Sequence, residues 1–323
     1  MSRADLIVNL VKAGSQGDQK LFRTTVEAMA AEERAKSHHQ LAERLENNLR
    51  DAIARPRSAE VVRSYDGGHG GLLYEIEPNR VMASMLIQEQ PRAAINEMIE
   101  EQHRRDLLRS YGLEPRHRIL LSGPPGNGKT SIAEAIATEL MMPLFVVRYE
   151  AVIGSFLGET SGRLKKLFDF VRTHQCVLFF DEFDTLGKER GDTHETGEIK
   201  RVVSSLLLQI DSLPSHVVVV TATNHAELLD RAVWRRFQLR LTLPPPTVAQ
   251  KEDWFKGFQE RLGMPLGVTP KTLAKNLNVN SFSDLEQFCE DIHRRYVLAL
   301  PSSNLKSIVN ERLQQWKNRA AVE

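Results

Sequence analysis

The chain has 323 residues, which is more than a single hydrophobic core usually supports, so we expect more than one domain. Hydrophobic residues make up 41% of the chain and charged residues 26%, which excludes a disordered or fibrous protein. The 43 lysines and arginines nearly balance the 42 aspartates and glutamates, so we do not expect nucleic acid as a partner. Two cysteines exclude a disulfide framework, and no apolar run approaches the roughly 20 residues of a membrane span. We therefore expect a cytoplasmic protein without a membrane partner.

Residues 1–55 carry apolar residues at helical spacing, and they predict an all-helical N-terminal domain. Asp18 is a plausible N-cap for its second helix. The third helix has a stripe with a spacing of four, formed by Leu41, Leu45, Leu49 and Ile53. These helices either bury their stripes on one another or leave part of a stripe open for a partner or substrate. Both readings stay open at this point.

Glycines are concentrated in the stretch Asp66-Gly67-Gly68-His69-Gly70-Gly71. Such a composition is typical of flexible linkers. We therefore predict a linker over residues 56–85.

From residue 86 onward, short apolar segments alternate with longer segments of helical pattern. This alternation predicts an α/β domain over 86–246, in which helices cover both faces of a parallel sheet. Three prolines close the domain, and residues 247–323 return to a helical pattern. The predicted strands are Ile119–Ser122, Leu144–Arg148, Val177–Phe180, Val217–Thr221 and Leu239–Leu243.

A phosphate-binding loop is predicted at Gly123-Pro124-Pro125-Gly126-Asn127-Gly128-Lys129-Thr130, between a strand and a helix. Glycines allow backbone N–H groups to surround phosphates, and the helix N-terminus adds a positive dipole end. Lys129 would reach the β- and γ-phosphates, and Thr130 would offer its hydroxyl to Mg²⁺. The residues that we expect to contact the nucleotide are Pro125, Gly126, Asn127, Gly128, Lys129, Thr130 and Ser131.

Two acids follow a buried apolar strand in Val177-Leu178-Phe179-Phe180-Asp181-Glu182. Ligands bind at the carboxyl ends of parallel strands, so these acids should face the phosphate loop. We expect Asp181 to hold the Mg²⁺ shell and Glu182 to position and deprotonate the attacking water. Asn224, which ends a third buried strand, points to the same crevice.

The order of these motifs, followed by Leu229-Asp230-Arg231-Ala232-Val233-Trp234-Arg235-Arg236-Phe237, resembles the AAA ATPase family over roughly residues 85 to 300. The resemblance implies ATP hydrolysis with Mg²⁺, a hexameric ring of identical subunits, and a helical lid over residues 247–323. It also implies that Asn224 is the sensor residue and that Arg235 and Arg236 act on the nucleotide of a neighbouring subunit.

Phe156 and Leu157 lie in a segment similar to the first pore loop of that family, which grips a protein substrate. The chain departs from the family pattern at Ser155, where Lys is common, and at Asn127, where Thr is usual. We expect the change at Asn127 to be tolerated, because the loop works mainly through its backbone.

The N-terminal residues loosely resemble those of bacterial AAA proteins encoded beside subtilisin-like serine proteases, which implies such a protease as a partner. The sequence contains no His-Glu-x-x-His metal motif, so proteolysis would need a separate subunit. The leading hypothesis is a remodeller that threads polypeptide. The alternative is a switch or loader in which ATP hydrolysis controls assembly of a partner complex without threading.

Overall fold

The computed structural model describes residues 71–152, 157–184, 196–300 and 304–319, together with Thr25, Met29, Arg63 and Ser64. The chain divides into two compact units, Met1–Glu60 and Val61–Glu323, and most of the described residues belong to the second unit. Thr25 and Met29 are both helical. The other residues of the predicted N-terminal helices lie outside the described residues.

The second unit is built on a sheet with the strand order β1-β2-β4-β5-β6-β3-β7. The five strands from β4 to β7 in that order are parallel. Strand β2 pairs with β4 in the antiparallel direction, and β1 pairs with β2, again antiparallel, at the edge of the sheet. The strands are β1 Arg63–Ser64, β2 Leu73–Ile76, β3 Arg118–Ser122, β4 Leu144–Val147, β5 Cys176–Phe180, β6 Val217–Thr223 and β7 Leu239–Thr242. The α/β sheet expected from the sequence is thus confirmed, with each of its five predicted strands.

Eleven α-helices are described in the second unit. Those of the α/β domain are α1 Glu89–His103, α2 Arg105–Ser110, α3 Lys129–Leu140, α4 Tyr149–Val152, α5 Leu157–Val171, α6 Thr196–Asp211 and α7 Arg231–Trp234. Those of the C-terminal region are α8 Val248–Leu262, α9 Pro270–Asn276, α10 Phe282–Leu298 and α11 Leu305–Arg319. Within the described part of the chain, no helix has the length and apolar character needed to cross a bilayer.

The central strands are buried on both faces, which explains their continuous apolar runs. In β3, Leu120 faces one hydrophobic cluster, whereas Ile119 and Leu121 face the other. Helices α5 and α6 cover the first face, and α1 and α3 cover the second. The C-terminal helices have a core of their own, centred on Phe255 and Phe288. This helical region follows residue 247, and we refer to it as the lid.

The predicted linker over residues 56–85 was wrong for the residues of this stretch that the structure describes, which include β1 and β2. Leu73–Ile76 forms β2, which pairs with β4, and the side chains of Leu72, Leu73 and Ile76 are buried in the core. The following segment is held on α3, because Glu134 accepts hydrogen bonds from Asn79 N and Arg80 Nε. The strand is short and directly follows the glycine-rich stretch, so its pattern is not evident in the sequence.

Candidate functional site

The loop between β3 and α3 needs its glycines for backbone reasons. Gly126 and Gly128 have φ angles of +73° and +80°, a left-handed conformation that other residues rarely adopt. A Cβ atom on Gly123 would lie 2.3 Å from the carbonyl oxygen of Leu243. The loop therefore has the strand–loop–helix context that a phosphate site requires, and its backbone can approach a ligand closely.

Lys129 is the first residue of α3, and its ammonium group turns back onto the loop. Its Nζ donates hydrogen bonds to the carbonyl oxygens of Gly123 at 2.7 Å and Pro124 at 2.9 Å. Burial lowers the pKa of Lys129, and the nearby carboxylates of Asp181 and Asp184 act in the opposite direction. A phosphate group at the loop would stabilise this buried cation better than two neutral carbonyls do.

Thr130 and Asp181 bring two oxygen atoms together at the edge of the sheet. The Thr130 hydroxyl donates a hydrogen bond to Asp181 Oδ2 at 3.2 Å. A hydroxyl and a carboxylate on adjacent elements form the hard oxygen set that suits Mg²⁺ beside a nucleotide phosphate. The chemistry of these two groups therefore fits the ion that the sequence implies.

The backbone of Glu182 has a left-handed conformation, which is strained for any residue other than glycine. Its φ angle is +46°, and its N–H donates to Asp181 Oδ1 at 2.9 Å. The next residue is fixed as well, because Phe183 N donates to Ala222 O at 2.8 Å. Strain of this kind persists only where the surroundings impose it, and it is concentrated at functional sites. The side chain of Glu182 is exposed.

Asp184 is a buried acid that the sequence analysis missed. Its Oδ1 accepts hydrogen bonds from Thr223 Oγ1 at 3.0 Å and from Asn224 N at 3.3 Å. These bonds fix the carboxyl end of β6 and thereby the position of Asn224, whose Oδ1 has no hydrogen-bond partner among the described residues. The only available signal was its place two residues after Glu182, which does not distinguish it from a turn residue.

A cavity of about 370 Å³ joins these groups. All ten residues predicted for the loop and the strand ends, from Pro125 to Ser131 together with Asp181, Glu182 and Asn224, line it. The sequence did not predict the other walls. They come from the segment before α1 and from the lid, namely Arg80, Ser84, Met85, Leu86, Ile87, Trp254, Phe282, Ser283 and Glu286.

Comparison with known proteins identifies the family to which this site belongs. The model of the "ATPase family associated with various cellular activities (AAA)" matches residues 119–245. An "Uncharacterized AAA family ATPase y4kL" from Sinorhizobium fredii is 32% identical to this chain, and the alignment covers 99% of this chain and 97% of the relative. The chain belongs to the AAA family. It is an ATPase with a P-loop.

Two further likenesses are more limited in extent. "ATP-dependent zinc metalloprotease FtsH 1" from Symbiobacterium thermophilum is 36% identical to this AAA ATPase. The aligned region covers 58% of this chain and 34% of that relative. The crystal structure of the FIGL-1 AAA domain matches with a TM-score of 0.60 at 20% identity, covering 76% of this chain and 86% of that domain. The second likeness confirms the fold.

The two predicted arginines lie apart from the cavity of their own chain. Neither Arg235 nor Arg236 is among the residues that line it. Arg236 forms an ion pair with Asp211, which also accepts a hydrogen bond from Arg118 at 2.7 Å. Arg235 is exposed and makes no ion pair with any residue that the structure describes. The guanidinium group of Arg236 is therefore held by an ion pair, whereas that of Arg235 is not held by any described residue.

The predicted pore loop lies almost entirely outside the described residues. Phe156 lies outside the described residues, and Leu157 is the first residue of α5, with a side chain that is likewise outside them. Their role in this AAA ATPase stays a prediction.

Proposed function

We propose that this AAA ATPase is a cytoplasmic protein remodeller, which assembles as a hexameric ring and threads polypeptide. The observation that carries the proposal is the position of Arg235, which is exposed and lies outside the wall of its own nucleotide cavity. In phosphoryl transfer an arginine supplied by another molecule can stabilise the charge of the transition state. A second copy of the chain is the natural recipient of such an arginine.

Within one subunit, the residues that line the cavity take the catalytic roles. Lys129 would bind the β- and γ-phosphates, and Thr130 and Asp181 would hold Mg²⁺. The ion would neutralise charge on the phosphate oxygens. Glu182 would orient a water molecule and accept its proton, and Asn224 would fix that water beside the γ-phosphate. The grouping of these residues around one cavity supports the proposed roles.

Threading rests on Phe156 and Leu157 as the residues that grip the substrate. One relative is named as a metalloprotease, and this chain lacks the His-Glu-x-x-His motif, so a protease partner would be a separate protein. The resemblance of the N-terminal region favours a subtilisin-like serine protease as that partner. The N-terminal helices would then recruit the partner or the substrate.

The function is tested by measuring ATP hydrolysis with and without an unfolded model polypeptide such as reduced, carboxymethylated lactalbumin. We expect the polypeptide to stimulate hydrolysis by the full chain. The variant Phe156→Ala should hydrolyse ATP at the basal rate but lose the stimulation, whereas Phe156→Tyr, which keeps the ring, should retain it. If Phe156→Ala responds like the wild type, the switch or loader function is favoured over threading.

A second measurement uses Glu182→Gln, which should bind ATP without turning it over and hold the same polypeptide stably. Co-elution of the labelled polypeptide with this variant is expected in ATP and not in ADP. Equal retention in both nucleotides would contradict ATP-driven substrate binding.

A further inference from the structure

The side chain of Asn127 is buried without a polar partner. Only 3% of the residue is exposed, and neither Nδ2 nor Oδ1 makes a hydrogen bond to any residue that the structure describes. Buried amides are nearly always hydrogen-bonded, because an unpaired one loses its bonds to water without replacement. The phosphate loop binds phosphates through its backbone, and this role does not explain why the side-chain amide of Asn127 is buried without a partner.

Asn127 lies in the wall between two cavities. One is the nucleotide cavity of about 370 Å³, and the other is a small space of about 10 Å³ bounded by Ile87, Pro91 and Leu243. The small space holds at most one water molecule. A rotation of the Asn127 side chain toward the large cavity would bring its amide to a bound nucleotide.

The large cavity also has apolar walls. Leu86 and Ile87 contribute to them from the segment before α1, and the rings of Trp254 and Phe282 contribute from the lid. With the phosphates held at the N-terminus of α3, the space beside these walls is left for the base. A planar purine packs well against an aromatic ring and aliphatic side chains.

Phe282 is fixed relative to the loop. It is the first residue of α10, and the following residue, Ser283, donates its N–H to Gly126 O at 3.1 Å. The contact is close, since a Cβ atom on Gly126 would lie 2.9 Å from the Cβ of Ser283. The Phe282 ring also packs on Trp254, with centroids 5.8 Å apart. The ring and Asn127 therefore belong to one preorganised surface.

We propose that the base of the bound nucleotide packs against Phe282 and that the Asn127 amide pairs with its N6 and N7 edge. An asparagine amide offers one donor and one acceptor group side by side. Adenine presents an N6 donor and an N7 acceptor, so both bonds form. Guanine presents O6 and N7, which are both acceptors, so either orientation of the amide leaves one bond unmade. Asn127 thus selects adenine, while Phe282 contributes affinity for either purine.

The test compares the binding of ADP and GDP to the full-length chain by titration calorimetry, which avoids turnover. For Asn127→Ala we expect the preference for ADP over GDP to fall by at least about tenfold, mainly through weaker ADP binding. Phe282→Ala should weaken both nucleotides by a similar factor. Asn96→Ala, which removes an exposed asparagine on α1, should change neither affinity.

A purely structural role for Asn127 predicts a different result. In that case Asn127→Ala would lower the melting temperature of the nucleotide-free protein and leave the ADP:GDP ratio unchanged, and this result would overturn the proposal. We expect the melting temperature to stay equal or rise, because the substitution removes an unpaired buried amide. Asn127→Asp keeps the shape but can only accept hydrogen bonds, so it should lose the ADP preference even if the alanine variant folds poorly. An Asn127→Asp variant with the wild-type ratio would also overturn the proposal.

Discussion

The hydroxyl of Thr130 lies 3.2 Å from Oδ2 of Asp181 and donates a hydrogen bond to it. This bond joins the first turn of α3 to the end of β5, although another strand, β6, separates β5 from the strand that leads into α3. The sheet order thus places a hydroxyl and a carboxylate, 51 positions apart in the chain, on one side of the cavity. Their proximity is the geometric basis for expecting Mg²⁺ there.

Changes at this pair should alter the dependence of hydrolysis on Mg²⁺. We expect Asp181→Asn and Thr130→Ala to require higher Mg²⁺ concentrations for half-maximal ATP hydrolysis, because each removes an oxygen ligand or its charge. Thr130→Ser keeps the hydroxyl and serves as the matched control, with a wild-type requirement. An unchanged Mg²⁺ profile for Asp181→Asn would move the metal site elsewhere.

Two substitutions at Glu182 distinguish the catalytic role of its side chain from the effect of its backbone strain on stability. Glu182→Gln should bind ATP but lose turnover, because the amide cannot accept a proton from water, and the free energy of unfolding should stay near the wild-type value. Glu182→Gly should also lose turnover but become more stable by up to about 1 kcal/mol, since glycine adopts positive φ without a steric penalty. Chemical unfolding with and without nucleotide measures both effects. A glycine variant less stable than the glutamine variant would refute the strain argument.

Strand β2 determines how far the N-terminus can be shortened. A chain beginning at Val61 should fold and hydrolyse ATP, because it retains the whole second unit. A chain beginning at Asn79 should be destabilised, because it lacks the buried side chains of Leu72, Leu73 and Ile76. Each of these contributes roughly 1.5–3 kcal/mol by burial. Thermal unfolding and ATPase rates of the two chains provide the measurement, and equal stability would show that β2 is dispensable.

The sequence predicted those parts of the site whose functional residues are neighbours in the chain. The P-loop and the acids at Asp181 and Glu182 are short motifs that directly follow buried strands, so their location at one sheet edge follows from topology. Asp184 and Arg80 were missed because their roles depend on distant partners. The partner of Arg80 is Glu134, 54 positions away, and no local pattern encodes such a pairing. The contribution of Phe282 to the cavity could not be predicted for the same reason, because it depends on residues that are distant in the chain.

His117 should make the stability of the protein sensitive to acid. It is buried, and its Nδ1 lies 3.3 Å from Pro115 O. Burial, together with the charge of Arg118, lowers the pKa of His117 below its ordinary value, so the fold favours the neutral ring. The unfolded chain therefore binds a proton more readily, and the free energy of unfolding should fall as the pH drops below the ordinary histidine pKa of about 6.5.

Urea unfolding at pH values on either side of that pKa measures this effect. His117→Gln, which is neutral throughout, should lose part of this acid sensitivity. His103→Gln changes an exposed histidine and should retain the wild-type pH dependence. Identical slopes for His117→Gln and the wild type would rule out His117 as the source.

The last prediction concerns catalysis between subunits. Arg235 is exposed, whereas Arg236 is paired with Asp211, so Arg235→Ala should leave ATP binding and stability unchanged while lowering turnover. Arginines that act in trans contribute ~10³–10⁵ in rate in other phosphoryl-transfer enzymes. Arg236→Ala should also destabilise the fold, because it leaves Asp211 with Arg118 alone. ATPase rates and thermal unfolding distinguish the two residues.

Mixing two inactive variants decides whether the arginines act on a neighbour. Arg235→Ala/Arg236→Ala subunits have an intact P-loop, and Lys129→Ala subunits have intact arginines. In a mixed oligomer some interfaces would combine the intact P-loop of one variant with the intact arginines of the other. We therefore expect partial recovery of ATP hydrolysis on mixing, with a rate that rises with total protein concentration. If mixed oligomers form, as shown by co-purification of differently tagged variants, and hydrolysis does not recover, the arginines act within their own chain and the ring proposal loses its main support.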